Sequence, residues 1–272
     1  VATKIKLIAL DMDGTAYASL GNYVEENIAP INEAIENDIK VIFVTGRPVH
    51  AKWNRFEIYN FDENEAIVAG FNGALIYDIM NEKILDAVTI PKAIVEAAFQ
   101  AIFQYPEAEL WGYGQDFKRS FINKPISASK ELVHESTFFD GEVLVVKPGD
   151  ELDDCFKLIM FSGNTTLVQT LRDLGLEVAW NPETFSAEIN LKGINKAHAL
   201  DFLANYYQID ASEMMAIGDA ANDIPMLKYA GLSIAPANAI EKVKKLVDEV
   251  SPHTNVEGAV AKAIYKHVLE EK

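Results

Sequence analysis

Cysteine is almost missing from this chain. Cys155 is the only one, so no intramolecular disulfide can form, no cysteine cluster can hold zinc, and a reducing compartment is the expectation. Basic residues are scarce beside acidic ones, 24 Lys and Arg against 41 Asp and Glu, and the formal net charge of −17 speaks against a nucleic-acid backbone as partner. No apolar run approaches the roughly 20 residues of a membrane span. The first residues run straight into an apolar segment at Ile5, and a protein that is neither exported nor embedded, hence cytoplasmic, is expected. Internal repeats, low-complexity tracts and Pro/Gly/Ser linkers are also missing, and the five histidines show no metal-binding spacing. What remains is ample core material: 49% of the 272 residues are hydrophobic and 10% aromatic. That length suits two ordinary domains.

Short runs rich in Ile, Val and Leu alternate with amphipathic segments: Ile5 to Leu10, Glu25 to Glu36, Val41 to Val44, then His50 to Tyr59. This βαβα rhythm predicts a parallel sheet. It breaks at Ala74 to Tyr77, where Asn81-Glu82 separates that run from Ile84 to Ile90 and predicts a hairpin. A helix from Pro91 to Gln104 follows. After it come strand-like runs over Leu110 to Ile122, Gly141 to Val146, Phe156 to Phe161, Glu177 to Trp180 and Ala187 to Leu191, with one helix at Thr165 to Leu174. From Lys196 the parallel rhythm resumes, through Met214 to Ile217 and Leu232 to Ile234 to terminal helices. The expected architecture is an α/β, Rossmann-like parallel-sheet core, discontinuous in sequence (1–83 and 189–272), with an α/β domain inserted at 84–188.

Three strand ends carry chemistry. Asp11-Met12-Asp13-Gly14-Thr15 follows the first run directly, which brings two carboxylates to the C-terminal edge of a parallel sheet, where such folds bind ligands. An isolated Asp-x-Asp-Gly is most often a solvated turn. An EF-hand fails, because Gly14 stands fourth where that loop needs glycine sixth. Thr45-Gly46-Arg47 offers a hydroxyl, backbone N–H groups and a cation at the next strand end, a set suited to phosphate, although Thr45 alone could be a helix cap. Gly218-Asp219-Ala220-Ala221-Asn222-Asp223 adds two more acids at the end of a third strand, and Lys196 opens a helix after the insert. Separate capping roles do not explain why these groups gather at ends of strands in this order.

DMDGT, the TGR after the second strand, Lys196 and GDAAND resemble the four motifs of the haloacid dehalogenase superfamily of phosphatases. The segment from Gly218 to the C-terminal helix and the place of the insert are similar to the Cof-type, type IIB capped branch. The resemblance implies a phosphatase for a small phosphorylated metabolite, a sugar phosphate before a nucleotide, with the insert as a substrate-selecting cap. It implies Asp11 as the nucleophile that forms an aspartyl-phosphate and Asp13 as general acid and base. Thr45, Gly46, Lys196 and Asn222 would hold the phosphoryl group. Mg²⁺ would sit on the Asp11 carboxylate, the Asp13 backbone carbonyl and Asp219, with Asp223 behind them. Such a metal would reconcile a −17 chain with an anionic substrate. Ala16, Ala197 and Pro236 depart from the usual motif neighbours, none at a reacting position. Lys192 is a rival lysine, but the 23-residue step from Lys196 to Asp219 fits the family better. Trp111, Tyr113, Lys118 and Arg119 are candidate cap contacts. Two other readings fit part of the pattern: a non-catalytic sugar-phosphate sensor, and a phosphotransferase of the phosphomutase kind, whose cap would enter before Thr45 where only about one helix has room.

Overall fold

The computed structural model of the protein describes residues 4–19, 21–61 and 63–269. Apolar runs with no polar face can be strands only if both faces are covered, and the chain satisfies this with helices on either side of one sheet. From edge to edge its strands are Glu249–Val250, Leu232–Ala235, Met214–Ile217, Leu7–Leu10, Lys40–Val44, Ile67–Gly70, Leu75–Asp78 and Lys83–Ala87. The first six are parallel, and the hairpin Leu75–Asp78/Lys83–Ala87 closes the sheet in antiparallel fashion. Alternate residues serve opposite layers. Ile8, Leu10, Phe43 and Ile217 pack with Ile31 and Ile264 of helices Ile28–Glu36 and Ala259–His267. Leu7, Ala9, Ile42 and Ala216 pack with Leu200, Leu203 and Leu227 of helices Lys196–Tyr207 and Ile224–Tyr229. The fold is thus α/β around a largely parallel, Rossmann-like sheet.

A second sheet orders Glu142–Val145, Arg119–Ile122, Glu109–Gly114, Cys155–Phe161, Ser186–Leu191 and Leu176–Asn181. Its neighbours are antiparallel except the first pair. Val95, Phe99, Leu167 and Leu171 of helices Lys92–Ile102 and Thr165–Asp173 cover one face. Trp111, Tyr113, Phe156 and Ile159 turn the other way and join the core of the large sheet, where Phe71 and Phe156 stack at 5.0 Å between ring centroids.

Two expectations shift. The joins expected at 83/84 and 188/189 each fall inside a strand: Lys83–Ala87 pairs within the large sheet and Ser186–Leu191 within the small one. Apolar alternation continues unbroken through both crossings, so it could not place them. The helix expected over His50 to Tyr59 is two short 3₁₀ turns, Lys52–Asn54 and Phe56–Ile58, on either side of Arg55 at φ 53°. The local carbonyls are engaged elsewhere: Trp53 O accepts from Arg47, and Asn54 Nδ2 donates to the carbonyls of Pro48 and Val49. Between the runs expected as strands stands a short helix, Lys130–Ser136, capped by Ser129 Oγ accepting from Leu132 N at 3.1 Å.

Candidate active site

The strands Leu7–Leu10, Lys40–Val44 and Met214–Ile217 lie side by side and parallel, so the loops leaving them converge at one edge. Asp11 is buried there at 6% exposure, and its Oδ1 accepts from Lys196 Nζ at 2.6 Å. Lys196 is wholly buried in the first turn of its helix and donates equally to Asp223 Oδ1 at 2.6 Å. The other Asp223 oxygen accepts from the backbone N–H groups of Asp219 at 2.8 Å and Ala220 at 3.0 Å. Asp223 therefore ties Lys196 to the loop that carries Asp219. Asp219 Oδ1 accepts from the Thr15 hydroxyl at 2.7 Å. Gly14 sits at φ +79°, and a Cβ there would come within 2.5 Å of Asp219 Oδ2, so only glycine lets the two acidic loops approach. Lys192 stands exposed and apart from this group.

Carboxylate oxygens of Asp11, Asp219 and Asp223 can all lie within 4.8 Å of one another. Burial, and next to it the charge of Asp223, holds Asp11 well above the usual carboxylate range. The same causes push Asp219 up to about 6. Burial alone would lower Lys196, but Asp11 and Asp223 outweigh it and the ammonium is held above its ordinary value. Three acids against one lysine leave negative charge without a partner, and hard oxygen donors in that number fit a divalent cation. The Asp13 carboxylate does not join the group. Arg47 grips both its oxygens, Nε on Oδ2 at 2.7 Å and Nη2 on Oδ1, while the guanidinium lies between the rings of Tyr17 and Phe138.

Asp11, Asp13, Thr45, Gly46 and Asn222 line one cleft of about 470 Å³. Its far wall comes from the small sheet, helix Lys130–Ser136 and the turn after that helix, through Glu135, Phe138, Lys157, Ile159 and Glu188. None of these five was singled out in the sequence. Lys157 donates to the Gly46 carbonyl at 2.9 Å and pairs with Glu188. Glu188 in turn accepts from Asn72 Nδ2 at 2.9 Å. Burial raises Glu135, although Lys157 works against it, and Tyr113 donates its hydroxyl to that carboxyl. The expected cap contacts lie elsewhere. Trp111 and Tyr113 are buried in the core, Lys118 is exposed, and Arg119 pairs with Asp116 and Asp153. The signal that could have found Lys157 is a lone lysine inside the apolar run Cys155–Phe161, which must have a partner if the strand is covered.

A family model for haloacid dehalogenase-like hydrolases matches residues 8–264. The 5-amino-6-(5-phospho-D-ribitylamino)uracil phosphatase YcsE of Bacillus subtilis (strain 168) is 29% identical over 97% of this chain and 96% of its own. The crystal structure of SMU.1108c from Streptococcus mutans UA159 superposes with a TM-score of 0.82 at 27% identity, over 97% of this chain and 98% of that one. The HAD subclass IIB sugar phosphatase BT4131 shares the fold at a TM-score of 0.78 and 20% identity, over 96% of this chain and 98% of its own.

Proposed function

This chain belongs to the haloacid dehalogenase-like hydrolases, in the Cof-type branch, and is a phosphatase; from that premise we propose that it hydrolyses a small sugar or polyol phosphate with Mg²⁺, through an aspartyl-phosphate on Asp11. The observation that carries the reading is the Asp11 carboxylate fixed by Lys196 in a cleft it shares with Thr45, Gly46 and Asp13. The relative YcsE is named for a phosphoribityl ester, which supports a polyol alcohol. The small sheet acts as the cap and the large sheet carries the reaction.

Lys196 leaves one Asp11 oxygen directed and the other free to attack phosphorus in line. Thr45 and the backbone at Gly46 hold the phosphoryl oxygens, with Lys196 and Asn222 alongside. Asp13 protonates the departing alcohol and then takes a proton from the water that cleaves the acyl phosphate. Mg²⁺ on Asp11, Asp219 and the Asp13 carbonyl would neutralise charge on the transferring group. Asp223 orients the Asp219 loop and Lys196. Arg47 aims Asp13, and one of its two bonds must open for the carboxyl to reach the leaving oxygen.

The direct test is phosphate release from sugar, nucleotide and vitamin phosphates with Mg²⁺ and with EDTA. Metal-dependent release favouring sugar or polyol esters is expected, and release unaffected by EDTA would refute the metal assignment. Asp13→Asn should lower kcat by about 10²–10⁴. Arg47→Met should cost less, up to about 10²-fold through misplacement, while an Arg47→Met loss as deep as that of Asp13→Asn would mean the arginine itself touches phosphate. The crowded acids give a second readout that needs no substrate. Mg²⁺ at about 100 times its Kd should stabilise the fold by about 2.7 kcal/mol, seen as a rise of about 5–10 °C in Tm. Asp219→Asn should erase most of that rise.

A further inference from the structure

The loop Thr45-Gly46-Arg47 is held from both sheets. On the large-sheet side the outer two carbonyls are pinned by backbone: Asn72 N–H donates to Thr45 O at 2.9 Å, and Phe71 N–H donates to Arg47 O at 3.1 Å. The Gly46 carbonyl between them takes its hydrogen bond from the small sheet, from the Lys157 ammonium at 2.9 Å. Glycine has no Cβ to resist a turn of its own peptide, so this is the carbonyl whose direction the loop itself fixes least. The same peptide unit ends in the Arg47 N–H, which donates to Thr45 Oγ1 at 3.1 Å. One peptide therefore joins a lysine of the cap to the hydroxyl of the phosphate loop.

Lys157 reaches that carbonyl because of how its strand is built. Leu158 and Met160 of Cys155–Phe161 pack under the helices of the small sheet, whereas Lys157 and Ile159 turn towards the catalytic cleft. A bulge shifts the register between Cys155 and Lys157, so Phe156 turns the same way as Lys157 and stacks on Phe71. The lysine is thus anchored, through its neighbour, on the residue whose N–H pins Arg47. It is 3% exposed, pairs with Glu188 and stands 6.0 Å from the centre of the Tyr113 ring. Glu188 already answers the charge that burial makes costly, so the bond to Gly46 is a second attachment, and its effect falls on the loop. A cation on the carbonyl polarises the peptide and makes the Arg47 N–H a stronger donor. The Thr45 oxygen accepts that N–H, and its hydrogen is left to give to a phosphoryl oxygen.

Resting on the phosphate contact of Thr45 in the proposed mechanism, we propose that Lys157 is a positioning residue for phosphate: from the cap it fixes the Gly46–Arg47 peptide, which in turn aims the Thr45 hydroxyl. The cap then sets how tightly phosphate is held, whatever alcohol it carries. Calorimetric titration with orthophosphate in the presence of Mg²⁺ reads this without turnover. Lys157→Met should raise the orthophosphate Kd about tenfold, and should lower kcat/KM by the same factor for glucose 6-phosphate and for p-nitrophenyl phosphate. A loss confined to glucose 6-phosphate would make Lys157 a contact to the alcohol and overturn the proposal. A lysine that touched phosphate itself, or only held the cap in place, would also weaken orthophosphate binding, and Thr45 separates these roles. Thr45→Val should raise the Kd about tenfold, and adding Lys157→Met to Thr45→Val should raise it by less than about twofold more. Losses that multiply, or a Thr45→Val protein that binds orthophosphate as well as the wild type, would overturn the proposal. If Lys157→Met does not fold, Lys157→Met/Glu188→Gln, which leaves no carboxylate unpaired, takes its place in the same cycle with the same outcomes. A wild type that cleaves no ester would fail the phosphatase reading by itself, and the titrations decide the role of Lys157 in either event.

Discussion

Asp11→Asn is expected to release no measurable phosphate, a fall of more than about 10⁴-fold, while the protein keeps its fold. The amide has the shape of the carboxylate but no charged oxygen to attack phosphorus, and the neighbouring aspartates are already engaged. Asp223 has both oxygens bonded, Asp219 is held by Thr15, and Asp13 is held by Arg47. Stability should not suffer. Two buried acids share one lysine with half-buried Asp219 beside them, so removing one negative charge relieves repulsion, and Lys196 keeps Asp223 as its partner. Wild-type and variant proteins should therefore melt within a few degrees of each other in EDTA. Undiminished turnover in the variant would remove Asp11 from the chemistry, and a wild type that binds metal and ester without turnover would restore the sensor reading.

The parts of this site that were legible in the sequence are contiguous. Asp11 and Asp13, Thr45 and Gly46, and Asp219 to Asp223 each sit at the end of an apolar run, and a run that reads as a strand tells where its following loop emerges. Parallel pairing then brings the three loops together without any side-chain information. Lys196 was legible only through its spacing to Asp219, since a lysine in the first turn of a helix usually points to water. Its position works slightly against the helix dipole, and burial between two carboxylates explains why it stands there.

The far side of the cleft was not legible, because it is made of single residues separated by tens of positions. Asn72, Glu135, Lys157 and Glu188 come from four different elements and meet only when the small sheet docks on the large one. Two local signals existed. Lys157 interrupts an otherwise apolar strand, and Glu188 and Asn190 recur two residues apart in Ser186–Leu191, marking one face of that strand as polar. Asn190 uses that face to donate to the carbonyls of Phe71 and Phe156 across the contact between the sheets. Neither signal names the partner, and without the partner an isolated charge in a strand reads as an edge position. The expected cap contacts failed for the same reason. Trp111 and Tyr113 belong to a strand whose near face is consumed in packing against Phe71 and Phe139.

Lys196→Met should have the largest effect on stability of any substitution at this site. The lysine is fully buried and its ammonium lies 2.6 Å from each of two carboxylate oxygens. Methionine fills a similar volume, so packing is roughly kept and the loss isolates the charge. What remains is Asp11 and Asp223 buried together, with half-buried Asp219 beside them and no cation among them, and removing one member of such a buried group costs about 3–5 kcal/mol. For a chain of this length that corresponds to a fall of about 6–20 °C in Tm. Turnover should be lost as well, because the same ammonium directs Asp11 and, in the mechanism proposed above, would meet the phosphoryl oxygens. Added Mg²⁺ should recover more stability in this variant than in the wild type, since the divalent ion then neutralises acids that no side chain offsets. Lys192→Met is the control: that lysine is exposed, and its loss should change stability by no more than about 0.5 kcal/mol. A Lys196→Met protein that melts with the wild type would mean that the acids are already protonated without the lysine. The negative pocket on which the metal assignment stands would then not exist.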